Sequence, residues 1–267
     1  MEQRAAPAVT LLTDFGAEDT FVGVVKGVIL TIAPGIPVVD LTNVSPRHDI
    51  ASAAFHLAAA MRFFPQGTVH LVVVDPGVGG ERRAVAVETG TAFYVAPDNG
   101  VLTFALQQDP PKCAVHLTRP EYRLSRVSAT FHGRDVFAPA AAYLAKGVPI
   151  RNMGAVIDDL VTIPMPRPTV DNEGVIRGHV QHIDHFGNCI TDIPADLIGE
   201  PRATILEAGD HVINGMSPSY SAVAPGMALA LIGSSGYLEI AVREGSAAES
   251  LGLQRGNPVS FRSLSPA

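Results

Sequence analysis

Thr68-Val-His-Leu-Val-Val-Val-Asp75-Pro-Gly-Val-Gly-Gly80 is apolar almost throughout its first seven residues, then breaks at an aspartate into a Pro/Gly turn. A strand buried on both faces of a sheet reads this way, and such strands belong to parallel sheets covered by helices. Upstream, Val9–Leu12 is a shorter strand ending at Thr13-Asp14-Phe15-Gly16. Phe21, Val24, Val25, Val28, Ile29 and Ile32 then recur at helical spacing, with Asp19 as the expected N-cap and Pro34-Gly35 as the stop. Pro37–Leu41 reads as a strand ending at Asp40. Ile50, Ala53, Ala54, Leu57, Met61 and Phe64 mark a second helix, capped by Asp49 and stopped at Pro65. Downstream lie two further strands, Ala84–Glu88 and Phe93–Ala96, the turn Asp98-Asn99-Gly100, and a helix over Pro139–Ala145. Repeated βα units predict an α/β domain over residues 1–165, a largely parallel sheet with flanking helices and right-handed crossovers. Ligands of such sheets sit beyond the carboxyl ends of the strands. Three of the predicted strands end in aspartate: Asp14, Asp40 and Asp75.

The texture changes at Ile163-Pro164-Met165-Pro166-Arg167-Pro168, where alternating prolines exclude a helix and predict an extended linker. Beyond it, short strand-like runs occur at Val175–Asp184, Cys189–Asp192, Thr204–Leu206, Met227–Ile232, Tyr237–Val242 and Pro258–Phe261, without a long helix. Residues 168–267 are expected to form a small all-β barrel or sandwich.

Composition narrows the function. Among 267 residues, 47% are hydrophobic and 17% charged, which supports a packed core. The net charge of −7 argues against nucleic acid as a partner, since that requires a basic surface. Two isolated cysteines, Cys113 and Cys189, make no disulfide framework and suit a reducing compartment. The opening residues lack an apolar signal core, and no apolar run reaches spanning length. A cytoplasmic protein acting on a small molecule is expected, with no membrane partner.

Three stretches carry chemistry-bearing residues. Asp75-Pro-Gly-Val-Gly-Gly-Glu-Arg82-Arg83 puts a carboxylate and a guanidinium on one glycine-rich loop. Its spacing fails the dinucleotide fingerprint, no Gly-Lys-Ser/Thr follows, and a strand rather than a helix comes next. An ordinary strand-to-strand turn with solvated charges remains open here. Thr130-Phe-His-Gly-Arg-Asp135 offers His132 either as an acid/base group or as a structural histidine. His179, His182, Asp184 and His185 suggest a metal site, yet strand alternation sends His182 and Asp184 to the face opposite His179 and His185. No metal is expected there, and Phe186-Gly187-Asn188 reads as a turn presenting a ring and an amide. His56 reads as a packing residue within the second helix.

Taken together, Thr13-Asp-Phe-Gly-x-x-Asp-x-Phe-Val-Gly-x-x-Lys-Gly27, Val74-Asp-Pro-Gly-Val-Gly79, Ala96-Pro-Asp-Asn-Gly100, Phe131-His-Gly-Arg-Asp135, Asp184-x-Phe-Gly-Asn188 and Gly236-Tyr-Leu-Glu-Ile-Ala241 resemble, in order, the S-adenosyl-L-methionine (SAM) hydroxide adenosyltransferases. These are related to the fluorinating and chlorinating enzymes. The resemblance spans roughly residues 8–262.

It implies hydrolysis of SAM to adenosine and L-methionine without metal or other cofactor. It also implies an N-terminal α/β domain, a C-terminal β-barrel, and a homotrimer with sites between neighbouring subunits. The family's Asp/Arg/His set falls on Asp75, Arg82 and His132, and its ribose-binding aspartate on Asp14. Its contacts to the methionine and adenine parts fall on Asp184, Phe186, Asn188 and Ser234, with backbone near Val242 and Glu244. In the halogenating relatives a tyrosine stands in the place of Asp75 and a serine in that of Gly133, so a halide-using activity is the disfavoured alternative. A non-catalytic nucleoside or SAM-binding protein is another. The segment Gly233-Ser-Ser-Gly236 lacks the ring or guanidinium that commonly covers the adenine, and Phe21 replaces the commoner tyrosine.

Overall fold

The computed structural model describes residues 6–165, 167–199 and 203–264, and the chain divides into two compact units between Ile163 and Pro164. The proline-rich stretch spans this division; its Pro166 lies outside the described residues.

The first unit contains β1 (Val9–Thr13), α1 (Phe21–Ile32), β2 (Val38–Thr42), α2 (Ile50–Ala60), β3 (Val69–Val73), β4 (Ala84–Glu88), β5 (Phe93–Pro97), α3 (Thr103–Gln108), β6 (Cys113–Leu117), α4 (Ala138–Ala145) and β7 (Gly154–Ile157). The sheet order is β2-β1-β3-β5-β4-β6-β7. Strands β2, β1, β3 and β5 pair in parallel, while β4 and β7 run against the rest. The alternation of a strand decides which residues meet which helices. Val9, Leu11, Val69, Leu71 and Val73 pack with Val25 and Ile29 of α1 and the alanines of α4. Leu12, Val72 and Val74 face the other way, against Ala53 and Leu57 of α2 and Ala105 of α3. The chain leaves β1 through α1 toward β2, then returns through α2 to β3 on the other side of β1. The crevice past the carboxyl ends of β1 and β3 is therefore a switch point of the kind where α/β sheets bind ligands.

Two local expectations are corrected. The N-cap of α1 is Thr20 in helical backbone without a side-chain cap bond, not Asp19. Asp49 does cap α2, accepting from the Ser52 N–H at 3.0 Å. Asp40 does not end its strand: it lies inside β2 and pairs with Lys26 Nζ at 2.6 Å in an exposed position. Its lysine partner accounts for it without a ligand.

The second unit contains β8 (Thr169–Val170), β9 (Ile176–Ile183), β10 (Cys189–Pro194), α5 (Ala195–Ile198), β11 (Thr204–Ala208), β12 (His211–Asn214), β13 (Ala228–Ile232), β14 (Tyr237–Val242), α6 (Ala247–Ser250) and β15 (Pro258–Ser263). Antiparallel pairing runs β12-β11-β15-β9-β10-β14-β13, with β8 on β9, and the end strands β12 and β13 adjoin, curling the sheet into a nearly closed barrel. Ile176, Val180, Cys189, Ile193, Leu206, Leu238, Ile240 and Phe261 fill its interior. The alternation read from the sequence holds in β9, where His182 is buried and His179 exposed. Among the described residues no helix is long and apolar enough to cross a membrane.

Candidate active site

Asp75 follows β3 and opens a turn in which Val78 and Gly80 donate their N–H groups to the Asp75 and Gly77 carbonyls. The turn brings Arg82 back onto Asp75. Arg82 Nε lies 2.9 and 3.1 Å from the two carboxylate oxygens, and Nη2 lies 2.5 Å from Oδ2. The pair is nearly buried, with 5% of the Asp75 and 11% of the Arg82 side chain exposed. Beneath the guanidinium lies the Phe137 ring, 5.2 Å from Cζ. Motif residues further along support this loop from behind: Asn99 Nδ2 donates to the Val74 carbonyl at 2.9 Å, and Asp98 pairs with Arg83 at 2.6 Å.

His132 comes from a different loop, at the mouth of a π-helical turn, Gly133–Phe137, that leads into α4. Such turns cluster at functional sites because they re-aim side chains. The loop before it is held by buried Asp135, which accepts from Arg134 Nε at 2.6 Å and from the Ser128 N–H at 2.8 Å. These bonds keep the Asp135 carboxyl below its ordinary range although burial opposes them. Arg82 Nη2 reaches His132 Nδ1 at 2.8 Å. The Arg82 guanidinium thus joins the Asp75 carboxylate, seven positions before it, to an imidazole fifty positions after it. Burial and the Arg82 charge both lower the His132 pKa from 6.5, so the ring is neutral at neutral pH.

Asp14, at the end of β1, shares a cavity of about 260 Å³ with Asp75 and His132. The cavity is at the small end for small-molecule sites, so a nucleoside-sized ligand needs a further covering surface. Phe15, Phe21 and Phe131 form one wall, edge to face at 5.4–6.0 Å. Arg47 and His48 also line it, and nothing in the sequence singled them out. His48 has a left-handed backbone, φ 63°, and donates its N–H to Asp14 Oδ2 at 2.8 Å. A non-glycine residue there stores strain, which a sequence does not display.

The barrel-side residues form two turns. Asp184 Oδ1 accepts from the Phe186 and Asn188 N–H groups, both at 2.9 Å, while Asn188 Nδ2 donates to Oδ2 at 3.0 Å. This leaves the Phe186 ring 74% exposed at the tip. Ser234 stands in the turn between β13 and β14. Val242 ends β14 and is buried, and Glu244 follows with a left-handed φ of 58°, its carboxylate 3.3 Å from Arg243. Among the described residues no group of three or more His, Cys, Asp or Glu side chains is placed to hold a metal ion.

The model of the SAM hydroxide adenosyltransferase N-terminal domain matches residues 9–154, and that of the C-terminal domain residues 178–260. The chain belongs to the SAM hydroxide adenosyltransferase family. A relative of that family from Thermus thermophilus, named (R)-S-adenosyl-L-methionine hydrolase, is 43% identical, with 94% of this chain and 98% of the relative covered. A crystal structure of a conserved protein from Thermotoga maritima superposes with a TM-score of 0.90 at 34% identity, covering 95% of this chain and 99% of that one. A fluorinase of Actinopolyspora mzabensis is more distant, at 28% identity over 95% of this chain and 96% of its own. As a SAM hydroxide adenosyltransferase, the chain carries one matched domain in each of its two compact units.

Proposed function

We propose that this enzyme hydrolyses SAM to adenosine and L-methionine by attack of a water-derived oxygen on ribose C5′, with Asp75, Arg82 and His132 handling that oxygen. The observation that carries the reading is the bond from Arg82 Nη2 to His132 Nδ1 beside the Asp75 carboxylate.

A guanidinium has no acceptor, so it donates to Nδ1, and a neutral imidazole then carries its proton on Nε2. His132 therefore offers a donor to an oxygen in the cavity and cannot serve as base through Nε2. A carboxylate has about four lone-pair positions, and Arg82 takes three through Nε and Nη2. Asp75 keeps acceptor capacity for a water proton. The division of labour follows: Asp75 accepts from the attacking water, His132 donates to it, and Arg82 fixes both. General-base help supplies about 10²–10⁴-fold, and alignment supplies more.

Attack by an anionic oxygen on the carbon next to a sulfonium expels the thioether of methionine and cancels two charges, so exclusion of water favours it. Asp14, held from one side by His48, keeps Oδ1 for the ribose hydroxyls and orients C5′. Halide use fits poorly: the Asp75 carboxylate paired with Arg82 would repel a halide, and Gly133 brings no hydroxyl. Asp184, Phe186, Asn188 and Ser234, with backbone near Val242 and Glu244, hold the methionine and adenine parts, supplied by a neighbouring subunit of a homotrimer. No metal or other cofactor takes part in this scheme.

The test is incubation of the pure protein with SAM in water enriched in oxygen-18. Adenosine labelled at the 5′ oxygen, with equimolar methionine and no dependence on chloride, is the expected result. Unlabelled adenosine, or a 5′-chloro product appearing with chloride, overturns it.

A further inference from the structure

The barrel unit buries an acid that the scheme above leaves unused. Glu239, in the middle of β14, is 4% exposed. Its neighbours Leu238 and Ile240 point into the barrel core. Alternation therefore puts Glu239 with Ala241 on the outer face, where Ala241 packs with Leu229, Leu231 and the covering Val223. The segment around Tyr220 lies over this face, tied down by Arg243 Nη1 donating to the Val223 carbonyl at 2.7 Å. From it, the Tyr220 hydroxyl donates to Glu239 Oε1 at 2.6 Å.

The other carboxylate oxygen lies against Gly233, so closely that a Cβ at that position would collide with Oε2. Gly233 is needed here for space, since only a bare backbone lets the acid approach the turn that carries Ser234. Asp184, in the second barrel-side turn, acts on the same spot: its charge raises the pKa values of Glu239, Tyr220 and Cys189. Burial is the largest cause at Glu239, opposed by the Tyr220 hydrogen bond.

Burying a carboxylate costs several kcal/mol unless an opposite charge compensates, and one tyrosine hydroxyl is a poor substitute for one. Among the described residues no Lys, Arg or His is paired with Glu239. A cation brought to this face from outside the unit would offset that cost. SAM carries a sulfonium and an α-ammonium against one carboxylate, whereas adenosine is uncharged.

Resting on the proposed SAM hydrolysis, we infer that Glu239, held by Tyr220 against the Gly233 turn, is a substrate-positioning residue that selects the cationic amino-acid end of SAM through the Ser234 and Asp184 turns. The same field releases product. Once the sulfonium has become a thioether, methionine carries no net charge and loses the attraction that drew the substrate in.

The experiment measures kcat and KM for SAM, and inhibition by adenosine, in the full chain and its Glu239→Gln and Tyr220→Phe variants. Expected is a KM for SAM raised roughly tenfold in Glu239→Gln, the size of a charge interaction across about 12 Å at an effective dielectric of about 20. The kcat and the adenosine inhibition constant should change less than about twofold. Tyr220→Phe should raise KM more at pH 6 than at pH 8, because loss of the hydroxyl lets Glu239 take up a proton sooner. Equal effects on SAM and adenosine, or none on either, overturn the inference; if Glu239→Gln does not fold, Tyr220→Phe decides alone. Should the wild type fail to turn over SAM, the hydrolase reading falls, and SAM against adenosine dissociation constants in the same proteins then judge Glu239 separately.

Discussion

Arg82 Nη2 stands 2.8 Å from His132 Nδ1, and that bond exists only while the imidazole is neutral. A protonated ring would turn a second donor toward the guanidinium and set two cations side by side. Since burial and Arg82 hold the His132 pKa below 6.5, the working form persists when the medium drops past that value. The acid limb of the kcat/KM profile should therefore have its midpoint below 6.5. An acid limb with its midpoint above 6.5 would show that His132 is not bound this way in the free enzyme.

Asp75→Ala removes the one member of the trio with lone pairs left for water. Turnover should drop by about 10²–10⁴-fold, the usual worth of a general base. Adenosine affinity should hardly move, because no ribose or base contact is assigned to this carboxylate. Steady-state kinetics beside adenosine titration separates the two, and near-wild-type turnover would take the oxygen-activating role away from Asp75.

Asp14→Ala should act in the opposite sense, on binding before chemistry. Two hydroxyls on a carboxylate are charge-assisted bonds of about 1.5–3 kcal/mol, so adenosine affinity should weaken by about one to two powers of ten. His48 loses its acceptor as well and is free to leave its left-handed conformation. Calorimetry with adenosine checks this; unchanged affinity would place the ribose elsewhere.

A histidine outside the site couples stability to pH. His70 in β3 is 1% exposed, bonded to Thr10 Oγ1 at 2.8 Å and stacked on Tyr94, and burial pushes its pKa down from 6.5 to about 4. As pH falls the unfolded chain takes up this proton first, so stability complete above pH 6.5 declines toward pH 4. Two and a half units correspond to about 3 kcal/mol. Denaturant unfolding across that window should show the loss, and His70→Gln should flatten it; an identical slope in the variant would assign the loss to other groups.

The parts of this protein that were legible in its sequence are those with a long period or a sharp break. Buried strands such as Val69–Val73, the Asp49 cap and the Pro/Gly stops marked the βα units, and alternation along Ile176–Ile183 separated His179 from His182. Seven elements were missed: α3, β6, β7, β8, α5, β12 and α6 have two to six residues each, too few to show a period. In the site, Asp75 and Arg82 share one loop and could be read together, whereas their junction with His132 depended on the six ordered motifs. Arg47 and His48 went unnoticed because a strained φ and a backbone bond to Asp14 leave no mark on residue type.

Gly79 is where the two catalytic loops touch, and it offers the sharpest test of their coupling. Its φ is 76°, which disfavours any side chain, and a Cβ there would run into the Ala129 carbonyl, three residues before His132. Strain alone costs about 1–3 kcal/mol, and the collision has to be relieved by moving one loop from the other. The loop carrying Asp75 and Arg82 would then part from the loop carrying His132, stretching the 2.8 Å bond between them. Gly79→Ala should lower kcat by at least tenfold while adenosine, bound through Asp14, keeps its affinity within a few-fold. Gly174→Ala, in a left-handed turn of the second unit with open space around it, controls for strain without collision. If the two variants lose stability alike and both keep wild-type kcat, the contact at Ala129 does not hold the site together.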